Sequence, residues 1–302
     1  MTDRKRRLIQ LASALLYNLN LKGFSQVSIY RGKAKGICVP GLNCYSCPGA
    51  VGACPLGTLQ NALAAMDRKL PFYIVGVLLL TGVTLGRTVC GFLCPFGLIQ
   101  ELLYKIPFPK IRKGRITKSL SCLKYVVLFV FVLLLPPVYK RLTGIPVPTF
   151  CKFICPAGTL EGGIPLVLLD DSLRNLAGRL FGWKLFVLVL ILVSACTLYR
   201  SFCRFLCPLG AIYSFFAPAA FLGVKIEEEK CTGCDACVRK CPVDVCRVGD
   251  RECIQCGECM KVCPEGAIRW KRPGSALISG GSESGQNAGQ QLSLHKKPSV
   301  LK

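Results

Sequence analysis

Cys231-Thr-Gly-Cys234-Asp-Ala-Cys237-Val-Arg-Lys-Cys241-Pro242 is followed by Cys253-Ile-Gln-Cys256-Gly-Glu-Cys259-Met-Lys-Val-Cys263-Pro264. Each run reads C-x2-C-x2-C-x3-C-P. Three thiolates on one tight loop suit three irons of a cubane, and the fourth iron is capped from the other run. The proline then turns the chain away after the exchanged ligand. On this reading Cys231, Cys234, Cys237 and Cys263 hold one [4Fe–4S] cluster, and Cys253, Cys256, Cys259 and Cys241 hold the other. A structural zinc pair is the alternative, because C-x2-C pairs also suit zinc, but zinc sites seldom need two four-cysteine runs. Cys246 falls outside the spacing and is expected to pack as a small buried residue.

The spacing is that of bacterial two-cluster ferredoxins, so residues 223–271 are expected to form a small α+β domain of that kind. Residues 272–302 are rich in Gly, Ser and Gln and read as a disordered tail. Residues 1–222 have another character. They make the 302-residue chain 52% apolar, with a mean hydropathy of +0.46, which points to a membrane domain rather than a second soluble one. The 39 Lys and Arg against 16 acids give a net charge of +23. No RNA-binding or zinc-finger pattern accompanies that charge, so nucleic acid is not an expected partner. Cationic loops beside anionic lipid account for it better. His295 is the one histidine, which excludes a bis-histidine haem, a histidine-rich zinc site and a serine–histidine hydrolase. There is no C-x-x-C-H haem motif and no phosphate loop. Any chemistry falls to the 21 cysteines.

A bilayer core of about 30 Å takes about 20 residues to cross. Leu70 to Val89, Ser119 to Tyr139 and Leu180 to Tyr199 meet that length, with Lys124 and Lys184 near ends where they snorkel. Leu8 to Leu21 is shorter and carries Gln10, Asn18 and Asn20. Counting it as a span puts both basic segments, Arg4–Arg7 and Lys105–Lys118, on the cytoplasmic side, as the positive-inside rule favours. The expectation is therefore a multi-pass α-helical protein of the cytoplasmic membrane with about four transmembrane helices and both termini cytoplasmic. The N-terminus resembles a signal peptide but lacks a small-residue cleavage site, and is read as retained. Gly82-x-x-x-Gly86 permits close helix packing in the second span.

Cys54-Pro-Leu-Gly, Cys94-Pro-Phe-Gly, Cys155-Pro-Ala-Gly and Cys207-Pro-Leu-Gly each open a short apolar stretch, one after each span. The first and third fall outside and the second and fourth inside, giving two pseudo-symmetric halves related about the membrane normal. Proline at the first helical position sets the preceding cysteine at the helix N-cap, among unpaired N–H groups. Cys90, Cys94, Cys203 and Cys207 then supply four thiolates on one face, enough for one cluster; inert buried pairs are the bland alternative. Six cysteines lie on the outer face: Cys38, Cys44, Cys47, Cys54, Cys151 and Cys155. Six thiolates suffice for one four-ligand cluster. Either Cys151 and Cys155 join two of the N-terminal set, or Cys38, Cys44, Cys47 and Cys54 bind alone, with a disulfide for a leftover pair. Cys122 and Cys196 are expected to pack. Clusters held at opposite surfaces would be about 30 Å apart, too far for one efficient hop. The stretches Phe96–Ile106 and Ala157–Leu169 are suited to dipping inward and closing that gap.

At these motifs, over roughly residues 70–270, the chain resembles membrane-bound 4Fe–4S proteins such as the NapH subunit of periplasmic nitrate reductase systems and the C-terminal part of NosR. The third motif at Cys151/Cys155 and the Cys38–Cys54 set are additions to that pattern. The resemblance implies electron transfer at a membrane, linked to the quinone pool, so a quinone is a candidate cofactor beside the clusters. The reading is an electron-transfer subunit of a membrane oxidoreductase complex. It would relay electrons between the ferredoxin-type domain and a membrane or outer-face acceptor or donor, with other subunits and a soluble donor or acceptor as partners. The rivals are a quinol dehydrogenase working on one side only and an iron–sulfur redox sensor or maturation protein.

Overall fold

The computed structural model describes residues 3–65, 71–111 and 113–271. The expected tail at 272–302 and the first residue of the second expected span, Leu70, lie outside the described residues. What is described is mostly helical, with a two-stranded sheet near the C-terminal end.

Among the described residues, two helices are long and apolar enough to cross a membrane, Arg115–Thr143 and Arg179–Thr197. They fall on the third and fourth expected spans. The first two expected spans are shorter as helices. Phe72–Thr84 has 13 residues, a rise of about 20 Å at ~1.5 Å per residue. It stops because Gly86 takes a left-handed φ of +51°, and a new short helix, Thr88–Phe92, carries Cys90. Gly82 and Gly86 face Phe216 and Ala220, so the small-residue pair does seat a neighbour. The helix Asp3–Tyr17 begins before the expected Leu8 and ends short of Asn18.

That N-terminal helix is turned inside out. Its buried face is Arg6, Gln10, Ser13 and Tyr17. Leu8, Leu11, Leu15 and Leu16 are exposed on the other side. Hydrophobic burial in water drives the opposite arrangement. The Arg179–Thr197 helix likewise exposes Phe186, Val189, Leu190 and Val193.

Within Arg115–Thr143 the turn Leu128–Leu134 widens to a π-helix. Pro136 and Pro137 follow it; they lack N–H donors and crowd the carbonyls one turn back. Thr149 Oγ1 donates to Phe131 O at 2.6 Å in this widened turn. Gly158–Gly163 repeats the device ahead of Pro165.

The strands Val224–Ile226 and Ile268–Trp270 pair antiparallel, Val224 opposite Trp270, and close the two ends of the cysteine-rich region on each other. Its core is small: Val224, Val243, Val245, Val248, Cys253 and Ile268. The domain is riveted to the helical part by charge. Glu252 takes Lys124 Nζ at 2.5 Å and Arg87 Nη1 at 3.2 Å. Arg204 pairs with Asp244, Lys113 Nζ donates to Cys241 O at 3.1 Å, and Lys261 reaches Asp3 at 3.4 Å. The N-terminal helix and Lys113 therefore both touch the cysteine-rich region. Cys246 and Cys122 are exposed, not packed. Cys246 instead accepts from Lys118 Nζ at 3.1 Å.

Candidate iron–sulfur centres

Cys231, Cys234, Cys237 and Cys263 line one open cavity of about 610 Å³ at the domain surface, with Cys246 on its wall. Cys241, Cys253, Cys256 and Cys259 line a second, with Cys237 between the two. Cys263 thus lines the cavity of the first run and Cys241 that of the second. Among the described residues no three His, Cys, Asp or Glu side chains converge on a single-ion position. Burial pushes Cys241 and Cys259 up to about 12. Bare thiolates are therefore disfavoured there, and iron must displace the proton. Cys234 is lowered, first by the Ala236 N–H and then by the Thr232 hydroxyl.

In the helical part Cys90, Cys94, Cys203 and Cys207 are all buried in one core. Cys94 and Cys207 sit extended at N-caps with proline behind them, and Gly210 N–H points at Cys207 Sγ at 3.4 Å. Two fully buried arginines flank the four. Arg200 holds Cys90 O and gives Nε to Glu101 at 2.9 Å; Arg87 lies on the other side, against Glu252. Two fixed cations suit four thiolates and a cluster of net negative charge. Glu101 is the hub: it also takes Arg6 at 2.6 and 2.8 Å and the Tyr199 hydroxyl at 2.8 Å. Burial alone would raise its carboxyl, but Arg200 and Arg6 hold it at about 2.

The outer six divide unequally. Cys44, Cys54, Cys151 and Cys155 line one cavity of about 280 Å³. Cys38 and Cys47 do not line it, and both are free thiols. Cys38 turns to Thr58 Oγ1 at 3.6 Å. Of the two groupings the sequence leaves open, the cavity assembles the mixed one. Nor do the inner and outer sets sit at distant surfaces. All of Cys54, Cys90, Cys94, Cys155, Cys203 and Cys207 share one buried core. On the Pro95–Leu103 helix, Phe96 is fully buried and packs edge-on against Phe202 at 5.2 Å.

Sequence reasoning passed over a second layer, although the repeat carries its signal. The sixth residue after each Cys-Pro cysteine is Gln60, Gln100, Glu161 or Tyr213, and each one reaches a cysteine-bearing segment. Gln60 Nε2 donates to Cys151 Sγ at 3.3 Å while its Oε1 accepts from Phe150 N at 2.9 Å. Gln100 does the same to Cys203 and Phe202, at 3.0 and 3.0 Å. Glu161 accepts from Cys44 N at 2.7 Å. The Tyr213 hydroxyl donates to Pro40 O at 2.9 Å.

Comparison with known proteins agrees with this chemistry. A model described as a 4Fe-4S binding domain matches residues 52–73, 70–118 and 180–226. A second model of the same description matches 224–247 and 248–269. The uncharacterized protein MJ0750 of Methanocaldococcus jannaschii is 30% identical over 62% of this chain and 69% of its own length. MJ0749 of the same organism is 30% identical over 53% of each. The methylamine utilization ferredoxin-type protein MauN of Methylobacillus flagellatus is 27% identical over 56% of this chain and 54% of its own. The chain thus spans between about half and about two-thirds of the length of these relatives. No solved structure matches it. Fold, cysteines and matches together define an iron–sulfur protein of ferredoxin type. Within that class, the chain belongs to the same family as MJ0750.

Proposed function

We propose that this protein is a membrane-bound electron relay, anchored in the cytoplasmic membrane by four helices in two related halves, with both termini cytoplasmic. Cys231, Cys234, Cys237 and Cys263 would hold one [4Fe–4S] cluster, Cys253, Cys256, Cys259 and Cys241 a second, and Cys90, Cys94, Cys203 and Cys207 a third. Bound clusters supply one-electron storage; the chain supplies position, charge and exclusion of water. The inside-out helix Asp3–Tyr17 supports the membrane setting, because exposed leucines over buried Arg6 and Gln10 suit lipid and not water. Two of the four helices are short for a bilayer, and local thinning of the bilayer or snorkelling of flanking residues would accommodate them.

One observation carries the relay. Gly91, next to Cys90, lies so close to the second ferredoxin loop that a side-chain Cβ there would stand 2.5 Å from Ile254 O and 4.0 Å from Cys256 N. The loop that bears Cys253 and Cys256 is thereby seated on the turn that bears Cys90. Such a contact suits electron exchange between the two sites, and it depends on the residue at 91 having no side chain. The electron's far partner would be a quinone or another subunit of a membrane complex.

The test is iron and sulfide analysis with EPR on the anaerobically purified full chain. Two ferredoxin-type signals and at least one further signal lost in Cys94→Ala are expected. Zinc in place of iron, or an unchanged spectrum in Cys94→Ala, would overturn the proposal.

A further inference from the structure

The Cys44 loop reaches past its own site. From Pro40 to Asn43 the chain lies on the start of the Pro95–Leu103 helix. A Cβ at Gly41 would stand 3.1 Å from Leu93 O and 3.3 Å from Cys94 Cα. The next two residues, Leu42 and Asn43, line the outer cavity together with Cys44 and Cys54. The segment Gly41–Cys44 therefore runs from the backbone of Cys94 to the wall of the outer cavity. The Tyr213 hydroxyl, fully buried and supplied by the fourth Cys-Pro helix, fastens this segment through Pro40 O at 2.9 Å.

The outer cavity is built for a bulky group. Gly162 is placed where a Cβ would stand 3.2 Å from Cys44 Sγ. Gly158 N–H points at Cys155 Sγ at 3.4 Å, and Gln60 holds Cys151 Sγ. Close backbone and amide donors around thiolates are the environment that cluster sulfurs take.

We propose that Cys44, Cys54, Cys151 and Cys155 hold a fourth cluster, and that the Gly41–Asn43 segment couples it electronically to the cluster on Cys90, Cys94, Cys203 and Cys207. The exchange is one electron: one site is oxidised as the other is reduced, and no bond to the chain forms or breaks. The inference rests on the relay reading above and extends it by a site and a route.

The experiment uses the anaerobically purified full chain, read by iron content and EPR. Cys44→Ala and Cys151→Ala are each expected to lose about four irons and one signal, while Cys38→Ala and Cys47→Ala keep both. Loss of that signal in Cys38→Ala or Cys47→Ala, or its survival in Cys44→Ala, overturns the site while leaving the ferredoxin and inner signals to judge the relay. Gly41→Val lifts the bridge from Cys94. It is expected to keep all irons and lose the spin–spin broadening between the inner and outer signals. Should Gly41→Val lose iron, Tyr213→Phe decides, since it removes only the hydroxyl that fastens Pro40. Undiminished broadening in the iron-replete variant overturns the route.

Discussion

Gln100 holds Cys203 at both ends: its amide nitrogen lies 3.0 Å from the thiol sulfur and its oxygen takes the N–H of Phe202, the residue before. Gln60 repeats this on Cys151 and Phe150. One buried amide thus fixes a proposed ligand and tunes it. A hydrogen bond to a cluster sulfur stabilises the reduced, more negative state. Gln100→Leu is expected to lower the midpoint potential of the inner signal in an EPR redox titration and leave the ferredoxin midpoints in place. It also strands the Phe202 N–H, a loss of about 1–3 kcal/mol. An unmoved midpoint would separate Gln100 from any cluster.

Glu101 gives a pH prediction. Its carboxyl is held at about 2 in the folded chain, against an ordinary glutamate value of about 4.3. The folded value is the lower, so its contribution is fully present above about pH 4.3 and is lost as pH falls toward about 2. The difference is worth about 3 kcal/mol. Acid unfolding followed by circular dichroism should show this slope, and Glu101→Gln should remove it. Glu101→Gln should also cost about 3–5 kcal/mol at neutral pH, because Arg6 and Arg200 are left buried without their anion. A variant with wild-type acid behaviour would contradict the hub role.

How much of this was legible in sequence follows from what each signal depends on. The ferredoxin run was legible because its ligands are local: two loops and an exchange of Cys241 and Cys263 are written in the spacing. The choice of Cys44 and Cys54 over Cys38 and Cys47 was not, because it depends on where Gly162 and the Cys151 turn arrive from a hundred residues away. Helix ends were misjudged where apolar composition continues through a break. Gly86 stops the second helix in mid-run, and hydropathy does not register a left-handed φ. The polar residues six places after each Cys-Pro cysteine were visible in the repeat, and only the fold shows that they turn to cysteine-bearing segments.

Glu252 makes docking testable. It neutralises Lys124 and Arg87, whose side chains are fully buried. Its own carboxyl, which burial would raise, is held low by those two cations. Glu252→Ala should loosen the ferredoxin domain, seen as faster proteolysis in the 217–223 connection. Both ferredoxin signals should stay while their coupling to the inner signal falls. Unchanged proteolysis and coupling would mean that the remaining contacts, Arg204–Asp244 among them, suffice.

The proposed topology rests on the positive charge of Arg4–Arg7 and Lys105–Lys118. Alkaline phosphatase inserted after Lys33 should be active, and a fluorescent reporter after Lys302 should fluoresce in the cytoplasm. An inactive phosphatase at 33 would place the Cys44 loop on the cytoplasmic side and remove the two-sided arrangement.

The central claim, electron passage through the helical part, is tested most directly in proteoliposomes. The full chain is oriented with its ferredoxin domain outward, dithionite is added outside, and ferricyanide is sealed within. Bleaching of the enclosed ferricyanide is predicted for the native chain and its loss for Cys94→Ala with ferredoxin signals intact. Equal bleaching in Cys94→Ala, or none in the native chain with all clusters present, would contradict the account.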